Sequence, residues 1–184
     1  WMRTPGVLAV VLPESEKWGL DALPGLLEAE TEFGWSADPL QRLLAITPLR
    51  DEAQVNLAKR LKLSNQDRDG LRATIASPLP EVGWTESALY RAIYKKDRAG
   101  FARRVKLLAA SALSKGEVDE AWALNRQILL AKAFADPDFP VSGDDLLARG
   151  FENGATLGAQ LRALEDRWVE SDFCLTKDAL LSML

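Results

Sequence analysis

Residues 156–168, TLGAQLRALEDRW, show the pattern that decides the fold. Apolar residues recur there at intervals of three or four positions, namely Leu157, Leu161, Leu164 and Trp168. Such intervals place all of these side chains on one face of an α-helix. Helical spacing continues through most of the chain, and no stretch shows sustained β alternation flanked by hairpin turns. The sequence therefore predicts an all-α fold.

Capping residues predict where several helices begin. Asp38 followed by Pro39 is typical of an N-cap with proline at the first helical position. Residues 64–67 (SNQD) resemble a capping box in which Asp replaces Glu. Thr176 is suited to start the last helix. We therefore expect helices to begin directly after Asp38, Ser64 and Thr176.

Two apolar stretches need separate interpretation. Residues 121–135 (AWALNRQILLAKAFA) are apolar on most sides of a helix, which predicts a helix buried against several neighbours. Residues 6–12 (GVLAVVL) are compatible with a short strand. The proline that follows them, Pro13, favours a helix that ends there instead.

Prolines also indicate the domain organisation. Residues 136–140 (DPDFP) separate a helical body from a smaller C-terminal unit, because proline interrupts a helix. We place a neck and body region at residues 1–136 and a tail at residues 137–184. The predicted architecture is an irregular multi-helix body with a small helical tail. The chain opens with Trp1 rather than Met, so we interpret its first residue as a position inside a longer protein.

The composition excludes several classes of enzyme. The 184 residues contain no histidine, which rules out a Ser/His/Asp triad, a Cys/His pair and an HExxH zinc site. The one cysteine, Cys174, has no partner for an internal disulfide, which fits a reducing compartment. No signal peptide or apolar run of membrane-spanning length occurs. We therefore expect a cytoplasmic protein without a membrane partner.

Positive charge is concentrated in one segment, although the net charge of the chain is −4. Residues 90–106 carry a charge of +6, and the remainder carries −10. The basic residues of this segment are Arg91, Lys95, Lys96, Arg98, Arg103, Arg104 and Lys106. Such asymmetry favours nucleic-acid binding, in which cations bind phosphates without reading base sequence. The alternative is a solvated helix face balanced by the acidic remainder.

A weaker basic cluster precedes this segment. Its members are Lys59, Arg60 and Lys62, with Arg68 and Arg72 following. We include Arg60 and Lys62 among the predicted RNA contacts. The aromatic residues interleaved with the main segment are Tyr90, Tyr94 and Phe101. They are candidates for stacking on bases or, alternatively, for the core.

Asp136 and Asp138 form the D-x-D pattern that metal-dependent nucleotidyl transfer requires, since two carboxylates bridge two magnesium ions. Here the pair lies between helices beside prolines, and no glycine-rich phosphate loop precedes it. We therefore assign no catalytic residue and no metal ligand in this chain.

Several segments resemble, in the same order, motifs of the bacterial class II tRNA nucleotidyltransferases, the family of CCA-adding enzymes and poly(A) polymerases. Residues 139–150 (FPVSGDDLLARG) are similar to the FPLxGxDLLxxG signature of that family. The further matching segments are GVL at 6–8, LPE at 12–14, DPL at 38–40, RLKLSN at 60–65, LYRAIY at 89–94 and GATLG at 154–158. Jointly these matches run over nearly the whole chain.

The resemblance implies the helical neck, body and tail of a nucleotidyltransferase, with the catalytic α/β head absent from this chain. It implies that the body and tail hold the acceptor and T arms of a tRNA, or another RNA 3′ end. Magnesium with CTP or ATP is expected in the head, so we expect no cofactor here and no activity from this chain alone. CCA addition and poly(A) addition are not separated, because the deciding residues lie in the head and neck. The oligomeric state also stays open.

Gly154 and Gly158 complete the predicted RNA contacts. A helix that starts near Thr156 presents free N–H groups and partial positive charge to a phosphate, and glycine permits a close backbone approach. A plain helix–turn–helix corner is the alternative. The family usually has Pro-Gly-Pro where this chain has residues 153–155 (NGA), and a glycine where Asp172 stands.

Two other functional hypotheses remain. A helical protein-interaction module, whose basic segment meets an acidic partner, predicts no RNA affinity. An enzyme that uses Asp136 and Asp138 predicts magnesium-dependent activity in this chain.

Overall fold

The computed structural model describes residues 7–15 and 22–184. Its α-helices, numbered in chain order, are α1 Val7–Val11, α2 Ala22–Glu32, α3 Pro39–Ala45, α4 Asp51–Arg60, α5 Asn65–Ala76, α6 Glu86–Ile93, α7 Arg98–Ser114, α8 Val118–Ala133, α9 Gly143–Leu147, α10 Ala155–Glu170 and α11 Lys177–Leu181. A short 3₁₀ helix, Pro13–Ser15, follows α1. No strand occurs within these two ranges, which confirms the all-α prediction.

The predicted helix starts are confirmed by side-chain caps. Asp38 Oδ1 accepts a hydrogen bond from the backbone N–H two residues later at 2.9 Å. Ser64 Oγ and Thr176 Oγ1 each accept from the N–H three residues later, at 3.1 and 3.3 Å. These bonds satisfy donors that have no partner inside the first turn of a helix.

The N-terminal apolar run forms a helix rather than a strand. Val7–Val11 is α1, and Pro13 begins the 3₁₀ helix after it. The helical interpretation is therefore confirmed. Gly6, the first residue of that run, lies outside the described residues, as does Trp1.

Helix α7 forms the centre of the body. It packs against α8, α2 and α5. Phe101 and Val105 of α7 are fully buried, and they share one cluster with Leu89 of α6 and Leu124 of α8. At Gly100 the backbone of α7 approaches that of α5 too closely for a side chain. Burial of these apolar side chains is the main stabilising contribution in the body.

Helices α9, α10 and α11 form a second apolar cluster in the tail. The buried residues that the tail contributes to it are Val141, Leu146, Leu157, Leu164, Trp168, Leu180 and Leu181. Tyr94, from the end of α6, belongs to the same cluster and meets the Trp168 ring edge-on at 5.8 Å. The aromatic ring of Tyr94 therefore links the two parts, and the proposed division after residue 136 stays a prediction.

Helix α8 is buried less completely than its composition suggests. Trp122 is 48% exposed and Leu129 is 63% exposed. The predicted helix is present and packs against neighbouring helices, but one of its apolar faces is exposed. The reason is geometric: α8 packs mainly against α7 and α6, so its opposite face meets solvent.

Within residues 7–15 and 22–184, no helix has both the length and the apolar character needed to cross a membrane.

Candidate nucleic-acid interface

The main basic segment, residues 90–106, spans the end of α6, a turn and the first half of α7. Lys95 in the turn has a positive φ of 52°. Asp97 then caps α7 by accepting a hydrogen bond from the Gly100 N–H. This sharp change of direction sends the basic side chains towards several different parts of the molecule.

Three of these cations form ion pairs with the tail or the segment before it. Arg91 Nη1 lies 2.5 Å from Asp172 Oδ1. Lys95 pairs with Glu165 of α10, and Arg98 pairs with Asp136. The positive charge at these positions is therefore balanced by carboxylates of the same chain.

Tyr94 strengthens this connection between α6 and α10. Its hydroxyl donates a hydrogen bond of 2.9 Å to Glu165 Oε1. Burial acts to raise the pKa of Glu165, but the hydrogen bonds from Lys95 and Tyr94 outweigh burial and leave that pKa lowered. The same bond to Glu165 raises the pKa of Lys95. Both groups therefore stay charged at neutral pH.

Arg103 and Arg104 point towards other helices of the body. Arg103 Nε lies 3.3 Å from Asp38 Oδ2, and the Arg103 side chain is 23% exposed. Arg104 Nη1 donates to the carbonyl oxygens of Ile75 and Ser77, both at 2.8 Å. Since these carbonyls lie at the C-terminal end of α5, Arg104 serves as a positively charged cap there.

Lys106 and Lys96 differ in their surroundings. Lys106 Nζ lies 5.1 Å from the centre of the Trp35 ring, and burial lowers the pKa of Lys106. Lys96 is exposed. Within the described ranges, Lys96 is the one cation of the segment with neither an ion pair nor an aromatic or carbonyl partner for its side chain. The predicted contact residues thus do not form one continuous basic surface.

The aromatic rings of the basic segment pack against other side chains inside the protein. Phe101 is fully buried and Tyr94 is 8% exposed. Tyr90 stacks on Phe134, with ring centres 4.4 Å apart. The alternative assignment of these rings to the core is therefore the one that the structure supports.

The weaker cluster lies at the end of α4 and along α5. Arg60 pairs with Glu14, and this hydrogen bond lowers the pKa of Glu14. Lys62, just after α4, is exposed and has a positive φ of 51°. Lys62 therefore presents its charge to solvent.

A groove between α4 and α5 brings together three cations that the predicted contact residues did not include. Lys59 of α4 and Arg68 and Arg72 of α5 line this groove. Arg68 and Arg72 are four residues apart, which puts them on one face of α5. This spacing is visible in the sequence. It indicates a site only when the structure shows that α4 lies beside α5.

The predicted glycine contacts lie at the start of α10. Gly154 is exposed, precedes the first helical residue and has a φ of 149°, a conformation that favours glycine. Gly158 lies one turn later, and Arg162 Nε donates to its carbonyl oxygen at 3.1 Å. Asp172, which stands where the family usually has glycine, adopts a positive φ of 57°. These positions are accessible, and their RNA contacts stay predictions.

The structure gives the D-x-D pair an internal role at Asp136. Its Oδ1 accepts from the Lys95 backbone N–H at 3.2 Å and also from Arg98. Among residues 7–15 and 22–184, no group of three or more Cys, Asp or Glu side chains is positioned to hold a metal ion. The described residues therefore do not fit the two-metal centre of nucleotidyl transfer.

Comparison with known proteins identifies a relationship over part of the chain. No protein-family model matches. Over 48 residues, however, the chain is related to CCA tRNA nucleotidyltransferases. It is 46% identical there to CCA tRNA nucleotidyltransferase 1, mitochondrial, of Danio rerio. It is 42% identical to the proteins of that name from Mus musculus and Homo sapiens.

The extent of this relationship is limited. The matched stretch is 26% of this chain and spans only 11% of the length of each of these curated relatives. Within that stretch, the chain is similar in sequence to these CCA tRNA nucleotidyltransferases.

Proposed function

We propose that this chain is the RNA-holding helical part of a tRNA nucleotidyltransferase, either CCA-adding or poly(A)-adding. In this proposal, it grips the acceptor and T arms of a tRNA while a separate head adds nucleotides to the 3′ end. The observation that carries the proposal is the 48-residue similarity to CCA tRNA nucleotidyltransferases. The bacterial class and the position of this chain at the C-terminal end of its parent belong to the same proposal.

The proposal includes a division of labour between this chain and a separate head. Magnesium with CTP or ATP would supply the nucleotidyl-transfer chemistry in the head. This chain would contribute by binding and orienting the RNA, which lowers the entropy lost when the 3′ end reaches the catalytic groups. We therefore expect the isolated chain to be inactive in nucleotide addition.

Exposed cations provide the means of holding RNA. Lys62 and Lys96 are exposed, and Lys59, Arg68 and Arg72 line the α4–α5 groove. Such cations bind phosphates and release counterions, so affinity falls as salt rises. Double-stranded RNA is recognised mainly by its shape and its backbone, which suits a surface of dispersed cations. Binding should therefore depend little on base sequence.

The test is a titration of the chain with tRNA over a series of salt concentrations, with a minihelix of the acceptor and T arms as competitor. We expect saturable binding that weakens with salt and is displaced by the minihelix. The absence of binding at low salt would contradict the proposal. Binding that an anticodon-arm RNA displaces equally well would contradict the assignment to the acceptor and T arms.

One observation favours the protein-interaction module as a second candidate. Trp122 and Leu129 of α8 are exposed apolar side chains on a helix that packs mainly on its other face. If this face binds protein, Trp122→Gln and Leu129→Gln should weaken self-association or partner binding, and tRNA affinity should be absent. Sedimentation of the chain with and without these substitutions tests the idea directly.

A further inference from the structure

The groove between α4 and α5 combines a charged rim with an apolar wall. Its lining residues are Gln54, Val55, Ala58, Lys59, Arg68, Leu71, Arg72 and Ile75. Three of these residues are cationic, and none is acidic. The groove encloses a volume of about 70 Å³. Since one water molecule needs about 10–15 Å³ on this measure, the cavity accommodates about five non-hydrogen atoms, which is enough for a phosphate group but leaves an attached sugar at the mouth of the groove.

Two buried polar atoms of the groove have no hydrogen-bond partner. They are Arg68 Nε, which is a donor, and Gln54 Oε1, which is an acceptor. Gln54 is only 3% exposed, and its Nε2 is held by Thr47 Oγ1 at 3.1 Å and the Pro48 carbonyl at 2.8 Å. The amide is therefore fixed with its oxygen unsatisfied. A buried group without a partner is destabilising, so a ligand hydroxyl that bound Gln54 Oε1 would relieve this cost.

Among the described residues, Asp69 is the one carboxylate that pairs with a cation of the groove. Arg68 has no ion pair with any described residue, and Arg72 lies 3.4 Å from Asp69, with both of those side chains more than two-thirds exposed. An exposed pair at that distance contributes little. Lys59 is exposed at the rim. The groove therefore offers an anion two guanidinium groups and one ammonium group.

We propose that this groove binds one ribose-phosphate unit of an RNA strand, a site that deepens and rests on the proposed RNA-holding function. The phosphate accepts hydrogen bonds from Arg68, Arg72 and Lys59. The adjacent 2′-hydroxyl donates to Gln54 Oε1, and the sugar packs against the wall formed by Val55 and Ile75. Both of these atoms have almost no solvent-exposed surface, so the proposed contacts require the Arg68 side chain to move outward when the strand binds.

The combination of donors and acceptor defines the ligand class. Guanidinium groups match the geometry of a phosphate, but a carbonyl oxygen repels a bare anion. A hydroxyl group beside the phosphate satisfies that oxygen, and RNA supplies one at every nucleotide whereas DNA does not. The groove is thus suited to an RNA backbone more than to free phosphate or DNA.

The experiment compares two sets of substitutions in the whole chain, each of which removes three positive charges. The test variant is Lys59→Gln with Arg68→Gln and Arg72→Gln. The matched control removes the same number of charges elsewhere through Lys115→Gln, Arg126→Gln and Lys132→Gln, which all lie at exposed positions. Affinity for an RNA minihelix and for a DNA duplex of the same sequence is measured by fluorescence anisotropy at several salt concentrations.

We expect the test variant to bind the RNA minihelix about tenfold more weakly than the control. The slope of log affinity against log salt should fall by about one relative to the control, as for the loss of one phosphate contact. The wild-type chain should prefer RNA to DNA, and the test variant should lose most of that preference.

Each contrary result has a distinct meaning. Equal affinity and slope in test and control variants overturn the groove site, while the proposed function stands. Equal affinity of the wild-type chain for RNA and DNA overturns the assignment of ribose. Absence of RNA binding by the wild-type chain overturns the proposed function and the groove site together. If the test variant unfolds, the double variant Lys59→Gln with Arg72→Gln, which retains Arg68, is compared with the double control Lys115→Gln with Lys132→Gln.

Discussion

Replacement of Gly100 by alanine tests the closest helix crossing in the body. A Cβ atom at this position would lie 2.5 Å from both the carbonyl carbon and the carbonyl oxygen of Ala73, and 2.8 Å from the backbone nitrogen of Thr74. These atoms belong to the backbone of α5 and have no rotamer through which to move. The substitution therefore forces α5 and α7 apart, or distorts one of them.

The expected magnitude follows from two opposing effects. Overpacking of a buried site costs about 1–3 kcal/mol, and the backbone contact places Gly100→Ala at the upper end of that range. The higher helix propensity of alanine returns at most about 1 kcal/mol. The free energy of unfolding should therefore fall by about 2 kcal/mol. For a chain of this size, Tm should fall by roughly 4–8 °C.

Urea unfolding followed by circular dichroism measures this change, and Gly158→Ala is the matched control. At Gly158 the nearest atom to a new Cβ is Arg162 Nη2 at 3.9 Å, so alanine meets no obstacle inside α10. That variant should gain about 0.5–1 kcal/mol. If Gly100→Ala proves as stable as the wild-type chain, the close crossing of α5 and α7 is wrong.

Three further predictions concern polar contacts. Tyr94→Phe removes the hydrogen bond to Glu165 and should lower the free energy of unfolding by about 0.5–1.5 kcal/mol; unchanged hydrogen exchange in α10 would count against a link through this bond. The hydrogen bond from Lys177, with those from Ser142, lowers the pKa of Asp145 from 3.8 to about 2. The ionised Asp145 carboxylate therefore stabilises the fold fully above pH 3.8, and this stabilisation disappears as the pH falls towards 2. The wild-type chain should therefore lose more stability than Asp145→Asn between pH 4 and pH 2, and parallel losses in thermal melts would refute this. Arg104→Met leaves two carbonyls at the end of α5 without their donor and should cost about 1–3 kcal/mol in urea unfolding, whereas an unaffected midpoint would show that Arg104 does not cap α5.

RNA binding by the main basic segment is best tested at exposed cations that have no structural contact. Reversing the charges of Arg103 and Arg104 would break the contact with Asp38 and the cap of α5, so a loss of RNA binding would not distinguish misfolding from a lost contact. Lys96 and Lys62 are better choices, since both are exposed. Replacing Lys96 and Lys62 by glutamine should lower the affinity for RNA and leave the free energy of unfolding unchanged.

The ion pairs of Arg91, Lys95 and Arg98 point to a structural role for much of the segment. Arg91 and Lys95 connect the body to the tail through Asp172 and Glu165, and Arg98 pairs with Asp136 at the end of the body. Exposed pairs contribute little singly, but together with the Tyr94 ring they fix the approach of α10 to α6. Part of the positive charge that is concentrated in this segment therefore forms ion pairs within the protein.

The sequence by itself determined the features that depend on near neighbours. Helical periodicity around Leu157 and Trp168, and the caps Asp38, Ser64 and Thr176, appear in the structure as predicted, because a cap involves residues two or three positions apart. The tertiary structure alone decided which cations are available to a ligand. Arg91 and Asp172 are 81 positions apart, and no local pattern indicates that pairing. The α4–α5 groove likewise exists only because two helices lie side by side, since a site formed between elements depends on their packing.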